Sequence, residues 1–296
     1  MSARSLLFVP GDSDRKLAKI AGCGADIVIL DLEDSVAAAQ QVAARGRVSQ
    51  YLAAHPQRPL SELWVRINAL GTAAALADLA AVVGARPDGI VQPKTASPEE
   101  VIRLGHYLDA FEQQHGLTPG GIRILPIATE TPAALFALGG FARCGARLHG
   151  LTWGAEDLSA AIGASGNKDA RGEWTAPMQL ARSLCLFAAH AAGVAAVDTL
   201  HVDYRDAAGL RSSCARARSD GFTGKLAIHP DQVAVINECF APSAEEVAQA
   251  RRVVALFAQH PGVAALALDG RMVDRPHLRQ AENTLERLSR AQRPTR

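Results

Sequence analysis

Short apolar stretches alternate along this chain with longer segments of helical periodicity. The apolar stretches are rich in Val, Ile and Leu, as expected for strands that are covered on both faces. The pattern predicts eight strands, at residues 5–10, 26–31, 63–67, 89–93, 123–127, 148–153, 195–201 and 225–229. It predicts helices between them at residues 14–23, 36–54, 73–83, 98–115, 131–138, 177–192 and 206–220.

Eight strand–helix units in a chain of 296 residues predict the α/β class and, within it, a (β/α)8 TIM barrel. A doubly wound sheet is the structural alternative. It is disfavoured because no GxGxxG motif follows the first predicted strand. We expect residues 1–240 to form the barrel as the catalytic domain and residues 241–296 to form a C-terminal extension.

The extension carries signals for a helix, a hairpin and a second helix. Ser243 with Glu246 three residues later indicates a capping box at the start of a helix over residues 242–259. The dipeptide Asp269-Gly270 between two apolar runs predicts a tight hairpin turn, and a charged helix is expected over residues 276–290. This helical and hairpin extension could be a lid, an oligomer arm or a small cap.

Composition excludes some functions without changing the predicted fold. Apolar residues make up 48% of the chain, so the chain can bury a full core. The net charge of +1 gives no electrostatic reason to expect binding to nucleic acid or to a membrane surface. No apolar run approaches the roughly 18 residues of a membrane span. The five cysteines lack CxxC spacing, which indicates structural thiols in a reducing cytoplasm. A nucleophilic cysteine is the alternative.

Charged side chains follow most of the predicted strands, at the edge where a barrel keeps its active site. In chain order they are Arg15, Lys16, Lys19, Asp31, Glu33, Asp34, Arg66, Lys94, Glu130, Asp157 and His229. Carboxylates that converge without thiolates or clustered imidazoles select a hard divalent cation, Mg²⁺ first and Mn²⁺ second.

Several of these residues also have a purely structural interpretation. Arg66 lies in an apolar strand, where a cation needs an acidic partner, and it could simply pair with Glu33 or Asp34. Glu130 could merely favour the N-terminal dipole of the following helix, and Asp157 could be the N-cap of the next one.

The sequence motifs, taken in order, resemble the HpcH/HpaI aldolase superfamily and, more closely, its citrate lyase beta subunit-like CoA-ester lyases. The matching stretches span residues 4–277 and read RSLLFVPG, ILDLEDSV, WVRIN, GIVQPK, IATETP, LTWGAEDLSAAIG, GFTGKLAIHP and ALDGRMVDRPH. Any one of them is weak, but eight in the right order are specific. The resemblance implies a TIM barrel whose extension packs on a neighbouring subunit, in a homotrimer or a hexamer.

The resemblance also implies roles at the strand ends. The two metal-ligand carboxylates of the family fall on Glu130 and Asp157, and its substrate-carboxylate arginine falls on Arg66. Glu33 and Asp34 fall on acids that surround the metal-bound waters. These matches imply Mg²⁺ as the cofactor, with Mn²⁺ as the second choice.

Further roles are implied for residues away from this acidic cluster. Basic residues that contact CoA phosphates fall near Arg15 and Lys19, and Lys94 is assigned to substrate binding. In one branch of the family, a lid aspartate from the adjacent subunit acts in proton transfer. The matching position in this sequence is Asp274.

Together, the acidic strand ends and the resemblance imply a Mg²⁺-dependent carbon–carbon lyase or synthase with Claisen or aldol chemistry. Its substrates would be a hydroxyacyl-CoA thioester such as malyl-, citramalyl- or citryl-CoA, with a small 2-oxo or 2-hydroxy acid as the other partner. A thioesterase step is also conceivable. The alternatives are a citryl-lyase subunit of a complex that acts on an acyl-carrier-protein thioester, and a non-enzymatic barrel subunit.

Overall fold

The computed structural model describes residues 3–58 and 61–291, so the last five residues of the predicted extension lie outside the described part. The strands are β1 (Ser5–Pro10), β2 (Ile27–Asp31), β3 (Glu62–Arg66), β4 (Gly89–Gln92), β5 (Arg123–Pro126), β6 (Gly150–Thr152), β7 (Ala195–Asp198), β8 (Gly224–Ala227), β9 (Ala265–Leu268) and β10 (Arg271–Asp274). The α-helices are α1 (Asp14–Leu17), α2 (Gln41–Ala54), α3 (Ala73–Val82), α4 (Pro98–Gln114), α5 (Pro132–Ala137), α6 (Ala155–Ala161), α7 (Ala176–Ala191), α8 (Ala207–Asp220), α9 (Pro230–Phe240), α10 (Ala244–Gln259) and α11 (Arg275–Ala291). Short 3₁₀ turns precede α2 and follow α3 and α5.

The first eight strands form a closed parallel barrel. Their order is β5-β4-β3-β2-β1-β8-β7-β6, and the two outer strands of this order are joined by the bridges Ile124–Leu148 and Ile127–Thr152. The predicted TIM barrel is therefore confirmed. The doubly wound alternative is wrong, because such a sheet keeps two open edges.

Alternate strand residues fill the barrel interior with apolar side chains. Trp64 on β3 is fully buried there and lies opposite Gly89 on β4. A Cβ atom on Gly89 would lie 2.4 Å from the Trp64 ring, so glycine at this position leaves room for the indole. Because the interior is a packed core, polar chemistry is confined to the carboxyl ends of the strands.

The first helix is much shorter than predicted. The sequence pattern predicted a helix over residues 14–23, but α1 ends at Leu17. The chain then takes left-handed backbone angles at Gly22 (φ 81°) and Gly24 (φ 73°), which a right-handed helix does not accommodate. The predicted CoA-binding residue Lys19 therefore lies beyond the helix, on an exposed segment.

The C-terminal module, residues 244–291, has an apolar core of its own. Buried residues of α10, β10 and α11 form a cluster separate from the barrel core, including Val253, Phe257 and Val273. The predicted capping box at Ser243 is present, and the hairpin turn has positive φ at Asp269 and Gly270, as a type I′ turn requires. The packing of this module on a neighbouring subunit stays a prediction.

Two observations bear on what composition predicted about membrane spans and about the cysteines. No helix within residues 3–58 and 61–291 is long and apolar enough to cross a membrane. The five cysteines are free thiols, and burial raises the pKa of Cys214 to about 12. A thiol with so high a pKa is a poor nucleophile, which agrees with a packing role for this cysteine.

Candidate active site

A cavity of about 310 Å³ opens at the carboxyl ends of the barrel strands. Four residues of the sequence-predicted site line it, namely Asp34, Arg66, Glu130 and Asp157. The lining also includes the apolar side chains of Phe8, Ile127, Trp153, Leu200, Leu226 and Ile228. The cavity therefore combines charged and apolar lining residues, as ligand sites commonly do.

Arg66 is held in place by a buried aspartate on the neighbouring strand. Asp31 and Arg66 are register partners on β2 and β3. Arg66 Nε donates to Asp31 Oδ1 at 2.7 Å and Nη2 donates to Oδ2 at 2.6 Å, while the guanidinium lies over the Phe8 ring at 4.8 Å. Burial opposes ionisation of Asp31, but these hydrogen bonds and the Arg66 charge hold its pKa below the ordinary value.

The remaining nitrogen of Arg66 faces the site. Nη1 lies 3.0 Å from Glu33 Oε2 and 3.6 Å from Asp34 Oδ2. The structural interpretation of Arg66 as a partner of Glu33 or Asp34 is thus incomplete, because its bidentate partner is Asp31. An arginine anchored through two nitrogens presents its third in a fixed direction.

Lys94 supplies the second positive charge of the site. Its ammonium forms an ion pair with Glu33 and lies 3.2 Å from Asp34 Oδ1 and 3.6 Å from Asp157 Oδ1. Burial opposes its charged form, but the contact with Glu33 and the neighbouring acids raise the pKa of Lys94 above its ordinary value. The structure thus shows Lys94, which was assigned to substrate binding, contacting the acids of the site.

Glu130 is the most buried acid of the candidate pair. Its side chain is 4% exposed, and Oε2 accepts the backbone N–H of Lys94 at 2.5 Å. Burial raises the pKa of Glu130 to about 8, and nearby Asp157 and Glu33 contribute to the shift. Thr131 is the N-cap of α5, and Glu130 directly precedes it, so the interpretation that Glu130 favours the helix dipole stays open beside the metal-ligand prediction.

The residue that lets α6 start close to Glu130 is a glycine, Gly154, which was not among the predicted site residues. The N-cap of α6 is Gly154, and Asp157 lies in the first turn, so the interpretation of Asp157 as the N-cap is wrong. A Cβ atom on Gly154 would lie 2.6 Å from Glu130 Cγ and 2.9 Å from Oε1. The only signal in the sequence was a glycine between a predicted strand and an acidic helix start.

The donor set fits a magnesium ion. It consists of carboxylate oxygens, which hard divalent cations prefer. Within the described residues no group of three or more His, Cys, Asp and Glu side chains could hold a metal, so the protein would supply two ligands and leave the rest to water and substrate, as is usual for Mg²⁺. Glu33 Oε2 is buried and accepts no hydrogen bond within the described part of the chain, although Arg66 Nη1 lies 3.0 Å away as its ion-pair partner. The role that the resemblance implies for Glu33, accepting a metal-bound water, stays a prediction.

Five predicted residues are not part of the cavity lining: Glu33 and Lys94 contact the acids beside it, and Arg15, Lys19 and Asp274 lie away from it. Arg15 on α1 and Lys19 just after it are exposed, near the carboxyl end of β1. Asp274 ends β10 in the C-terminal module, where His277 Nδ1 lies 2.5 Å from its Oδ1. The hydrogen bond with His277 lowers the pKa of Asp274. The roles implied for these three residues stay predictions.

A closed parallel barrel with paired carboxylates and a fixed arginine at the carboxyl ends of its strands is the architecture of a barrel enzyme that uses a divalent cation. The chain belongs to the HpcH/HpaI aldolase/citrate lyase family, whose model matches residues 4–230. A second model, described as a C–C bond lyase of the TIM-barrel fold, matches residues 183–291. The family resemblance inferred from the motifs is therefore confirmed.

Two curated relatives are similar over nearly the whole chain. The human protein named mitochondrial citramalyl-CoA lyase is 34% identical over 298 residues, covering 95% of this chain and 84% of the relative. A Mycobacterium tuberculosis protein named citrate lyase subunit beta-like is 37% identical over 287 residues, covering 96% of this chain and 95% of the relative.

A solved structure shares the fold and most of the length. The protein CitE from Mycobacterium tuberculosis, in complex with magnesium, acetoacetate and coenzyme A, superposes with a TM-score of 0.79 at 36% identity. The match covers 97% of this chain and 98% of that chain. A relative of this family is thus solved with magnesium bound.

Proposed function

We propose that this protein is a Mg²⁺-dependent carbon–carbon lyase, or synthase in the reverse direction, that acts on a hydroxyacyl-CoA thioester. The observation that carries the proposal is the cavity in which Glu130 and Asp157 stand beside the fixed guanidinium of Arg66. The similarity to a citramalyl-CoA lyase and to a protein bound to magnesium and coenzyme A supports it.

Glu130 and Asp157 are the residues that would hold the ion. Mg²⁺, when bound, would act as a Lewis acid on the oxygen of the substrate's hydroxyl or oxo group. Arg66 would direct Nη1 at an oxygen that gains negative charge as the reaction proceeds. Asp31 keeps the guanidinium oriented through its two hydrogen bonds, so little reorganisation accompanies the reaction.

Cleavage requires one proton transfer at each end of the broken bond. A base takes the proton from the substrate hydroxyl, and that oxygen becomes the carbonyl oxygen of a 2-oxo acid. The bond to the α-carbon of the thioester breaks, and its electron pair forms the thioester enolate. The enolate carbon then accepts a proton and leaves as acyl-CoA. Asp274 of a neighbouring chain is our candidate base, and condensation is the same sequence reversed.

The CoA handle would be bound at the rim. Arg15 and Lys19 are exposed and form no ion pair within the described part of the chain, which leaves their charges available for phosphate groups. Charge reversal at both positions should raise KM for an acyl-CoA and leave KM for the 2-oxo acid in the condensation direction unchanged.

Assembly and location are parts of the proposal that rest on the family resemblance and on composition. We propose a homotrimer or a hexamer, which light scattering on the purified protein measures directly. Cell fractionation tests the proposed cytoplasmic location. A citryl-lyase subunit would copurify with acyl carrier protein and further subunits, whereas a lone lyase would turn over free CoA esters.

The decisive experiment is a substrate panel. Purified protein with Mg²⁺ is incubated with malyl-, citramalyl- and β-methylmalyl-CoA, and the 2-oxo acid and the free CoA thiol are measured separately. Release of 2-oxo acid without thiol indicates lyase activity, and release of thiol indicates thioester hydrolysis. If Glu130→Ala and Asp157→Ala both keep wild-type rates, the metal-site assignment is wrong. A protein with no bound metal and no turnover would instead be a non-enzymatic barrel.

A further inference from the structure

Lys94 has a backbone conformation that is rare for its residue type. Its φ is 50°, in the left-handed region, and the other non-glycine residues with positive φ in the described part of the chain are Arg86 and Asp269. Those two have exposed side chains, whereas the Lys94 side chain is one-third exposed and meets three carboxylates. Strained backbone of this kind persists where the surrounding structure requires it, often at functional sites.

The left-handed conformation lets one residue contact both candidate metal ligands. The backbone N–H of Lys94 donates to Glu130 Oε2 at 2.5 Å. The ammonium, at the other end of the residue, lies 3.6 Å from Asp157 Oδ1 and also contacts Glu33 and Asp34. The positive charge of Lys94 therefore lies 3.6 Å from one of the oxygens that a divalent cation would approach, Asp157 Oδ1.

The Lys94 ammonium offsets part of the negative charge of the site. Asp31 engages Arg66 through two hydrogen bonds, so only one Arg66 nitrogen remains for the other acids. Glu33, Asp34 and Asp157 are left with a deficit of positive charge, which Lys94 reduces. A divalent cation between Glu130 and Asp157 would stand close to this ammonium, and two like charges at such a distance repel each other strongly outside bulk water.

We propose that the Lys94 ammonium is an internal counterion of the acidic site, which contacts Asp157 when no metal is bound and is displaced from it by the divalent cation. This inference rests on the proposed metal site at Glu130 and Asp157. The displaced ammonium keeps Glu33 and Asp34 as partners, so the side chain moves within the site. Lys94 thereby lowers the metal affinity of the site and holds the acids in order until the metal arrives.

Two variants separate the ammonium from the backbone. Lys94→Gly removes the ammonium and keeps a residue that adopts positive φ at no steric cost, so the N–H to Glu130 is retained. Lys168→Met is the control, because it also removes one positive charge, here from an exposed lysine whose Nζ lies over the Trp174 ring. Calorimetric titration with Mn²⁺ should show about 10-fold tighter binding to Lys94→Gly than to wild type, on the order expected for removing one close like charge, and an unchanged affinity for Lys168→Met.

Chemical labelling of the wild-type protein tests the displacement itself. Reductive methylation followed by mass spectrometry should modify Lys94 several-fold faster in the presence of saturating Mg²⁺, because the ammonium loses its contact with Asp157. Lys225, which is 1% exposed and paired with Asp198 at 2.8 Å, should stay protected in both conditions.

The outcomes are distinct. Equal or weaker Mn²⁺ binding by Lys94→Gly, or a labelling rate of Lys94 that does not rise with Mg²⁺, overturns the counterion role and leaves the metal site in place. If neither the wild type nor any variant binds Mn²⁺, the proposed metal site fails, and the inference fails with it.

Discussion

Two nitrogens of Arg66 bind a structural partner, and the third faces the acids of the candidate active site. Nε and Nη2 bind Asp31, which also accepts the backbone N–H groups of Glu33 and Ser35 at 3.0 and 3.2 Å. One buried carboxylate thus orients the arginine and shapes the turn that carries the next two acids. Replacement of Arg66 by lysine would lose the bidentate geometry, so even this charge-conserving change is expected to misplace the acidic turn.

The acids around the candidate metal site should differ in importance. Glu33→Gln or Asp34→Asn should weaken Mg²⁺ binding about 10–100-fold, because each removes an acceptor for metal-bound water, whereas Glu130→Ala should abolish activity. Calorimetric metal titration and kcat measure the two effects, with Glu99→Gln on the exposed face of α4 as the control. An equal and total loss from all three site variants would instead make Glu33 and Asp34 direct ligands.

His149 should make the fold sensitive to acid. The ring lies against Trp64 at 5.0 Å, and burial, with the charge of Arg123, lowers its pKa to about 3. The folded state keeps His149 neutral while the unfolded chain binds a proton below about pH 6.5, so stability is lost as the pH falls through that value. The expected slope from this residue is about 1.4 kcal/mol per pH unit between its two pKa values.

Urea unfolding of wild type and His149→Gln at pH 7, 6 and 5 measures this slope as a difference between the two proteins. Other titrating groups, including the acids of the active site, cancel in that difference. His55→Gln, at an exposed position, is the matched control for the loss of an imidazole. Parallel curves for wild type and His149→Gln would show that His149 binds its proton equally in the folded and the unfolded protein, which would contradict the lowered pKa.

At the scale of the elements, the strands were predictable and several connections were not. Buried strands such as β2 are continuously apolar, and each predicted strand overlaps an observed one. The helix α1 ends at Leu17, although the helical pattern continues, and the chain has left-handed backbone further on, at Gly22 and Gly24. The cluster of acids and bases was predictable because parallel strands end at one face. The left-handed Lys94 and the close approach of Gly154 were not, because both depend on contacts with residues distant in sequence.

The connection between β6 and α6 offers a sharp test of that close approach. Gly154→Ala would place a methyl group 2.6 Å from Glu130 Cγ, so Glu130 and Asp157 must move apart. Misplacement on this scale is expected to lower kcat on the order of 100-fold and to weaken Mg²⁺ binding. Gly46→Ala on α2 is the control, since a Cβ there meets nothing within 4 Å. It should raise stability by about 0.4–1 kcal/mol. Unchanged kinetics in Gly154→Ala would show that the site tolerates the shift.

For the whole molecule, a net charge of +1 conceals an uneven distribution. The carboxyl face of the barrel gathers Asp31, Glu33, Asp34, Glu130 and Asp157 around two cations, while exposed basic residues lie beside β1 at its rim. Summed charge therefore says little about what the site binds. The C-terminal module adds a second asymmetry, because it packs around its own apolar core and carries Asp274 outside the cavity of its own chain.

Complementation between inactive chains tests whether Asp274 acts on a neighbour. Arg66→Ala and Asp274→Ala should each be nearly inactive, since each lacks one part of the site. If a site combines the barrel of one chain with the module of the next, coexpression in equal amounts should restore about a quarter of the wild-type sites, because half the barrels carry Arg66 and half of those meet an intact module in a cyclic assembly. Activity of the purified mixture, normalised to light-scattering mass, measures the recovery. A mixture as inactive as its components would place Asp274 in its own chain's site, and full activity of Asp274→Ala alone would remove it from the mechanism.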